Sequence, residues 1–186
     1  MNARAGVVAL GLLAGCAGGP IVIPLRDETA GARPPVTRPP SPPCRVTVAA
    51  VEDERANRDT LGAIGNRPLQ ADDVREWIVH GMRDVGGAGD GGGPAEAGRP
   101  PADIVTRIGI ERVYARTVVT QMEAVVALRA AFTAADGSLT ERRYRGTGTR
   151  VNWVNAGMEF AVLLNEALGS AVTQIAADAG RLCPPR

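Results

Sequence analysis

Residues 122–132 read Met-Glu-Ala-Val-Val-Ala-Leu-Arg-Ala-Ala-Phe, and this run sets the architecture of the chain. Its apolar residues recur with period two, as in a strand with one buried face. The positions on that face are Met122, Ala124, Val126, Leu128, Ala130 and Phe132. Asp136-Gly137 follows as a hairpin turn signal. Leu139 to Arg150 then returns as the partner strand, so the run predicts a long antiparallel hairpin.

Four further elements surround this hairpin. Arg45 to Val51 is a short strand by its β-branched content. From Asp103 the period-two pattern begins again. Apolar stripes at helical spacing predict one helix over residues 71–85 and a longer one over residues 156–179. These stripes consist of Val74, Trp77, Ile78, Gly81, Met82 and Val85, and of Phe160, Leu164, Leu168, Ala171, Val172 and Ile175.

The order β-α-β-β-β-α predicts an α+β fold. We expect a mainly antiparallel sheet of about four strands, with two helices on one face, because this arrangement buries all the apolar stripes. Residues 52–69 look polar and irregular, and the link between Val113 and Gln121 contains no Gly or Pro to place it. The predicted domain is a single unit over residues 44–183.

The N-terminus reads as an export signal. Arg4 precedes a short apolar run that is too short to span a bilayer. The run ends at Leu13-Ala14-Gly15-Cys16, which resembles the bacterial lipobox. The resemblance implies cleavage after residue 15 and acylation of Cys16, for example with palmitate. In that family an aspartate after the cysteine often retains the protein at the inner membrane. Here this position is Ala17, so the outer membrane is favoured. Residues 1–15 are therefore predicted to be a lipoprotein signal peptide. The alternative is a plain signal peptide with an incidental cysteine.

Residues 16–43 are predicted to be the lipidated cysteine and a proline-rich tether. Residues 17–43 hold eight prolines, and such a segment favours extended polyproline II. The tether could therefore hold the domain several nanometres from the membrane. A ligand for a partner domain is the alternative reading of the prolines.

Cys44 and Cys183 flank the predicted domain and form an even pair in an exported chain. Because the bacterial periplasm is oxidising, we expect a disulfide that ties the two ends together. Two free thiols or an intermolecular bridge are the alternatives.

Composition and spacing argue against several functions. The net charge of +1 provides no overall field for nucleic acid. His80, the single histidine, lies off its helix stripe with no second ligand nearby, so we expect no metal. The glycine-rich residues 86–101 follow a helix and lack Gly-Lys-Ser/Thr, so a flexible surface loop is favoured over a phosphate-binding loop. With no Ser/His/Asp or Cys/His set, we expect neither an enzyme nor a cofactor.

Several spaced residues resemble YajG-type bacterial lipoproteins and the wider periplasmic lipoproteins that assist lipid transporters. They are the lipobox, Val46-x-Val48, Asp53-x-Arg55, Leu61-Gly62, Trp77, Tyr144-x-Gly146 and a terminal helix with Leu164, Leu168 and Asp178. The glycine-rich loop departs from this pattern as an insertion. The resemblance implies an α+β domain anchored at the periplasmic face of the outer membrane, without catalysis.

The densest polar cluster includes Arg142, Arg143 and Arg145. Strand alternation places Arg143 and Arg145 on one face, and Arg142 with Tyr144 on the other. Because the arginine fork suits carboxylate and phosphate, this row is a candidate surface for an anionic partner. A solvated strand face is the alternative. For Asp53, Glu54 and Arg55, an internal loop salt bridge is favoured over an active site.

Two functions fit these features. The first is a non-enzymatic accessory or scaffold of the cell envelope that binds an unidentified envelope protein. The second is a lipid-binding accessory of a transport system, with an apolar groove between sheet and helices. A cell-wall hydrolase is the third class, and the missing catalytic set argues against it.

Overall fold

The computed structural model describes residues 19–25, 42–85, 103–151 and 157–183. These residues contain seven strands and two α-helices. The signal peptide, Cys16, most of the predicted tether and the loop at 86–101 lie outside the described residues, as does Trp153, for which the sequence favours a packing role. The elements are β1 (Ile21–Val22), β2 (Val46–Asp53), β3 (Gly62–Ile64), β4 (Arg67–Gln70), α1 (Val74–Gly81) with a 3₁₀ turn at Met82–Asp84, β5 (Ile104–Val118), β6 (Gln121–Ala134), β7 (Leu139–Val151) and α2 (Gly157–Leu182).

The seven strands form one mixed sheet. The run β5-β6-β7 is antiparallel, but β2 and β3 both pair in parallel with β5, along its first and second halves. β4 pairs antiparallel with β3, and β1 pairs in parallel with β4. The prediction of a mainly antiparallel sheet of about four strands is therefore wrong, although the fold is still α+β. Strands of two to four residues are too short to show a period, so β1, β3 and β4 left no pattern in the sequence.

The long hairpins follow the predicted pattern closely. β6 pairs with β7 over their full length, and the turn between them contains Gly137 with φ +84°. The link that the sequence could not place is also resolved. β5 continues as a strand to Val118, and a two-residue turn at Val119-Thr120 leads directly into β6.

Helix α2 lies directly on the sheet because β7 carries glycines beneath it. A Cβ atom on Gly146 would lie 1.8 Å from the carbonyl oxygen of Ala167. The same atom on Gly148 would lie 2.5 Å from the carbonyl oxygen of Leu163. Although α2 is long and apolar enough to cross a membrane, 56% of its apolar window is buried in the fold. It therefore acts as the core helix.

Helix α1 packs beside α2 and against β2. The indole nitrogen of Trp77 donates a hydrogen bond to Oδ1 of Asn165 at 2.8 Å, and Gly81 leaves room for the side chain of Leu168. Trp77 is thus a packing anchor, as its place in the apolar stripe predicts. The helices cover one face of the sheet, and no other element of the described residues covers the opposite face, which we call the open face.

The segment at residues 19–25 belongs to the folded domain. The backbone N–H of Ile23 donates to the carbonyl oxygen of Gln70 at 2.7 Å. Ile23 and Leu25 are 1% and 5% exposed and join the main core. This differs from the predicted tether over residues 16–43, because the first part of that segment packs on the sheet edge at β4. Burial of an isoleucine or leucine side chain stabilises the folded state, so burial of Ile23 and Leu25 accounts for the docking of residues 19–25 on the sheet.

The predicted disulfide is present. Cys44, just before β2, is bonded to Cys183, just after α2, with a Cα–Cα distance of 5.6 Å. The bridge joins residues 139 positions apart and fixes the end of α2 to the start of the parallel β2–β5 pair.

Candidate interaction surface on the open face of the sheet

The three arginines of the predicted row lie on two different faces, as strand alternation requires. Arg142 faces α2, where its Nη1 donates to Oδ2 of Asp178 at 2.9 Å. Arg143 and Arg145 lie on the open face, since they pair across the strands with Arg129 and Ala127. Only two of the three can therefore contribute to one surface.

The helix side of β7 carries a compact polar cluster centred on Asp178. The hydroxyl of Tyr144 and a guanidinium nitrogen of Arg142 both donate to Oδ2 of this carboxylate at 2.9 Å, and Arg181 pairs with its other oxygen. Burial would raise the pKa of Asp178, but these hydrogen bonds and positive charges outweigh burial and lower it. Burial and the hydrogen bond to Asp178 raise the pKa of Tyr144. The cluster attaches α2 to β7 and is a structural site.

The open face carries a lattice of ion pairs that crosses three strands. Arg129 on β6 bridges Glu54 and Glu141, with 3.1 Å from its Nη1 to Oε2 of Glu141. Arg143 on β7 donates from Nε to Oε1 of Glu111 on β5 at 2.8 Å. The hydrogen bonds that Arg129 donates to Glu54 and then to Glu141 raise the pKa of Arg129. The lattice links charged side chains of β5, β6 and β7 and of Glu54, the residue after β2.

Arginines slightly outnumber carboxylates on this face. Tyr114 lies between two of them, with guanidinium carbons 5.9 Å from its ring centroid on each side. Unlike Arg143, Arg145 has no ion-pair partner among the described residues. By strand register, the arginines of this face are Arg107, Arg112, Arg116, Arg129, Arg143 and Arg145. The carboxylates are Glu52, Glu54, Glu111, Glu123 and Glu141, with Glu54 placed on this face by its contact with Gly109. Such a face can exchange internal ion pairs for carboxylates or phosphates of a partner.

Asp53 at the end of β2 and Arg55 in the loop after it pair with each other. The guanidinium of Arg55 makes two bonds to the carboxylate of Asp53, at 2.9 and 2.7 Å, and Arg55 is only 6% exposed. The hydrogen bond from Arg55 lowers the pKa of Asp53. This is the internal salt bridge that the sequence favoured for this segment. Residues 55–59 line a shallow polar hollow next to it.

Within the described ranges, no group of three or more His, Cys, Asp or Glu side chains is arranged to hold a metal ion. His80 is exposed on α1.

Sequence reasoning missed most of the open-face lattice. Glu111, Tyr114 and Arg129 were not singled out as site residues, and for Glu54 the sequence favoured a loop salt bridge instead of the observed ion pair with Arg129. The usable signal was the polar content at odd positions of β6, where Glu123 and Arg129 alternate with the apolar stripe. That signal identifies a solvated face, but the partners come from other strands and depend on the sheet register.

No protein-family model matches the chain, and no curated protein matches it by sequence. Several solved structures have a partly similar fold. A candidate lipoprotein from Caulobacter crescentus is 12% identical, with a TM-score of 0.42 over 69% of this chain and 88% of that one. A Xanthomonas campestris protein of family DUF330 is 16% identical, with a TM-score of 0.39 over 77% and 89%. A PelC dodecamer from Paraburkholderia phytofirmans is 19% identical, with a TM-score of 0.38 over 72% and 91%. These likenesses concern the path of the chain only.

Proposed function

We propose that the protein is a lipid-anchored lipoprotein at the periplasmic face of the outer membrane, where it acts as a non-enzymatic accessory or scaffold. One observation carries this proposal. The lipobox-like Leu13-Ala14-Gly15-Cys16 ends only three residues before Gly19, whose carbonyl oxygen accepts a hydrogen bond from Arg67 of the folded domain. A chain processed at Cys16 would thus consist of an acylated residue joined to a folded, disulfide-bonded domain. The disulfide supports an oxidising compartment.

The open face of the sheet is the proposed partner surface. It is uncovered by either helix, and ion pairs around Arg129 and Arg143 link its charges across the strands. Interspersed positive and negative charges suit recognition of a protein surface, because complementary pairs set the register of two partners. A lipid groove between sheet and helix is less favoured. At Gly146 and Gly148 the backbone of α2 touches the sheet and leaves no space there for an acyl chain.

The anchor is tested by metabolic labelling with an alkyne palmitate analogue. We expect label on the unsubstituted protein and none on Cys16→Ala, while Cys44 and Cys183 remain in both. Separation of the two membranes should place the labelled protein in the outer-membrane fraction. Equal labelling of both proteins, or no labelling of either, would contradict the proposal.

The partner surface is tested by photo-crosslinking in cells. A crosslinking residue at Thr147, which is exposed on the open face, should capture a defined envelope protein. The same residue at Arg83, exposed after α1, is the matched control. Arg143→Glu with Arg145→Glu should abolish the Thr147 crosslink. A Thr147 crosslink that survives this reversal of charge would exclude the two arginines as the recognition element. Lipid that copurifies with the protein would instead favour the lipid-binding function.

A further inference from the structure

The chain enters the fold at the same end as the β3–β4 turn. The carbonyl oxygen of Gly19 accepts a hydrogen bond from Nε of Arg67 at 3.0 Å. Arg67 opens β4 directly after the Gly65–Asn66 turn. Since β3 pairs in parallel with Ala115 and Arg116, this turn lies beside the last residues of β5.

Two more parts of the fold meet at this end. Gln121 pairs with Val118 across the β5–β6 turn and with Val151 at the end of β7. Helix α2 starts here as well, because a Cβ atom on Gly157 would lie 3.3 Å from Cγ2 of Ile21. We name this region the anchor end. It comprises residues 19–22, 65–67, 118–121, Val151 and 157–158.

Exposed apolar side chains concentrate at the anchor end. Among the described residues seven large hydrophobic side chains are exposed, and five of them belong to this region. The other two, Val105 and Leu139, lie toward the opposite end, near the β6–β7 turn. The five are Val22 at 57%, Val118 at 46%, Val119 at 91%, Val151 at 45% and Met158 at 45% exposure.

The most exposed of these side chains has an unfavourable backbone. Val119 has φ +55° in the two-residue turn between β5 and β6. A β-branched residue is a rare outlier in this left-handed region, and hairpin turns of this length prefer Gly, Asn or Asp. Val119 is therefore unfavourable at this hairpin turn for two reasons: its apolar side chain is exposed to solvent, and its backbone conformation suits Gly, Asn or Asp better.

We infer that the anchor end rests on the membrane surface, with Val118 and Val119 in the boundary between lipid headgroups and acyl chains. This inference depends on the proposed acylation of Cys16. Three residues span at most about 11 Å, so an acylated Cys16 must keep Gly19 close to the bilayer. Apolar side chains on such a surface bind at this boundary. The exposed guanidinium of Arg67 has no carboxylate partner among the described residues and can contact phosphate.

The consequence is an upright domain in direct contact with the bilayer. Helix α2 runs away from the anchor end for 26 residues, or about 39 Å at 1.5 Å per residue. The Cys44–Cys183 disulfide therefore lies at the end far from the membrane. The open face is then roughly perpendicular to the membrane plane, where a partner can reach it.

Fluorescence quenching by brominated lipids tests the orientation. Full-length acylated protein is placed in phosphatidylethanolamine–phosphatidylglycerol vesicles that carry bromine on their acyl chains. Val119→Trp should be quenched about two-fold or more, since interfacial groups reach roughly 5–10 Å into the boundary. Leu139→Trp, an exposed residue after the other hairpin turn, should not be quenched. The signal of the unsubstituted protein corrects for the native tryptophans.

Equal quenching of the two variants with acyl label on Cys16 overturns the orientation alone. Absence of acyl label overturns the proposed anchor, and the orientation with it. Hydrogen exchange on the unsubstituted protein gives a check that needs no substitution. Amides of residues 118–121 should exchange more slowly on vesicles than in soluble Cys16→Ala, and unchanged exchange would contradict contact with the membrane.

Discussion

Asp178 accepts two of the side-chain hydrogen bonds that join α2 to β7. Its carboxylate accepts hydrogen bonds from Tyr144 and Arg142 and pairs with Arg181, while the residue is 8% exposed. We expect Asp178→Asn to lower the free energy of unfolding by about 1–3 kcal/mol at pH 7, because hydrogen bonds to a charged group are lost. Urea denaturation followed by circular dichroism measures the change.

The pH dependence of this difference has a definite sign. The folded pKa of Asp178 is below its ordinary value of 3.8, so its stabilisation is fully present above 3.8 and is lost as pH falls through the folded pKa. The difference in the free energy of unfolding between the unsubstituted protein and Asp178→Asn should therefore become smaller below pH 3.8. Tyr144→Phe, which keeps the carboxylate charged, is the matched control. A gap that stays constant in acid would show that the charge of Asp178 is not the cause.

At the residue scale, the sequence allows predictions only where chemistry restricts the choice of partner. Cys44 and Cys183 could be paired because Cys16 was assigned to the lipid. Glu54 and Arg129 are 75 residues apart, and their contact depends on the parallel register of β2 and β5. No local pattern encodes that register.

The glycines of β7 determine how closely an entire helix approaches the sheet. Gly146→Ala would place a Cβ atom against the backbone of Ala167, so we expect a loss of about 1–3 kcal/mol from overpacking. Gly180→Ala is the matched control. It adds the same methyl group within α2 at an ordinary distance from Pro43, and should gain up to about 1 kcal/mol. Similar thermal midpoints for the two variants would exclude close helix packing at Gly146.

The β1 segment offers a separate test of whether residues 19–25 belong to the domain. Ile23→Ala should cost about 2–4 kcal/mol, because it removes a buried side chain from the main core. Val22→Ala, which changes an exposed neighbour, should stay within about 0.5 kcal/mol. Denaturation midpoints measure both. If Ile23→Ala were as mild as Val22→Ala, residues 19–25 would be a tether.

How well a strand or helix could be predicted from the sequence depends on its length. β6, β7 and α2 are long enough for their apolar periods to show, and their observed ends lie within three residues of the predicted ones. β3 and β4 span three and four residues, and docking of β1 depends on the side chains of Ile23 and Leu25. The parallel pairing of β2 with β5 could not be predicted either, because an apolar strand fits a parallel or an antiparallel neighbour equally well.

For the molecule as a whole, the disulfide is the strongest single constraint. Cys44→Ser with Cys183→Ser should reduce the free energy of unfolding by about 2–5 kcal/mol, since the bridge limits the unfolded chain over a long loop. Cys16→Ser provides the control, because it removes a thiol outside the bridge. Guanidinium denaturation of the three proteins compares them. Unchanged stability of the double variant would mean that packing alone holds the two ends together.

The bridge also changes the connectivity of the molecule. Residues 44–183 form a closed covalent ring that contains every strand from β2 to β7 and both α-helices. A single proteolytic cut within this ring opens it without releasing any fragment. A protease in an oxidising compartment must therefore cut twice within residues 44–183 before any part of the ring can diffuse away.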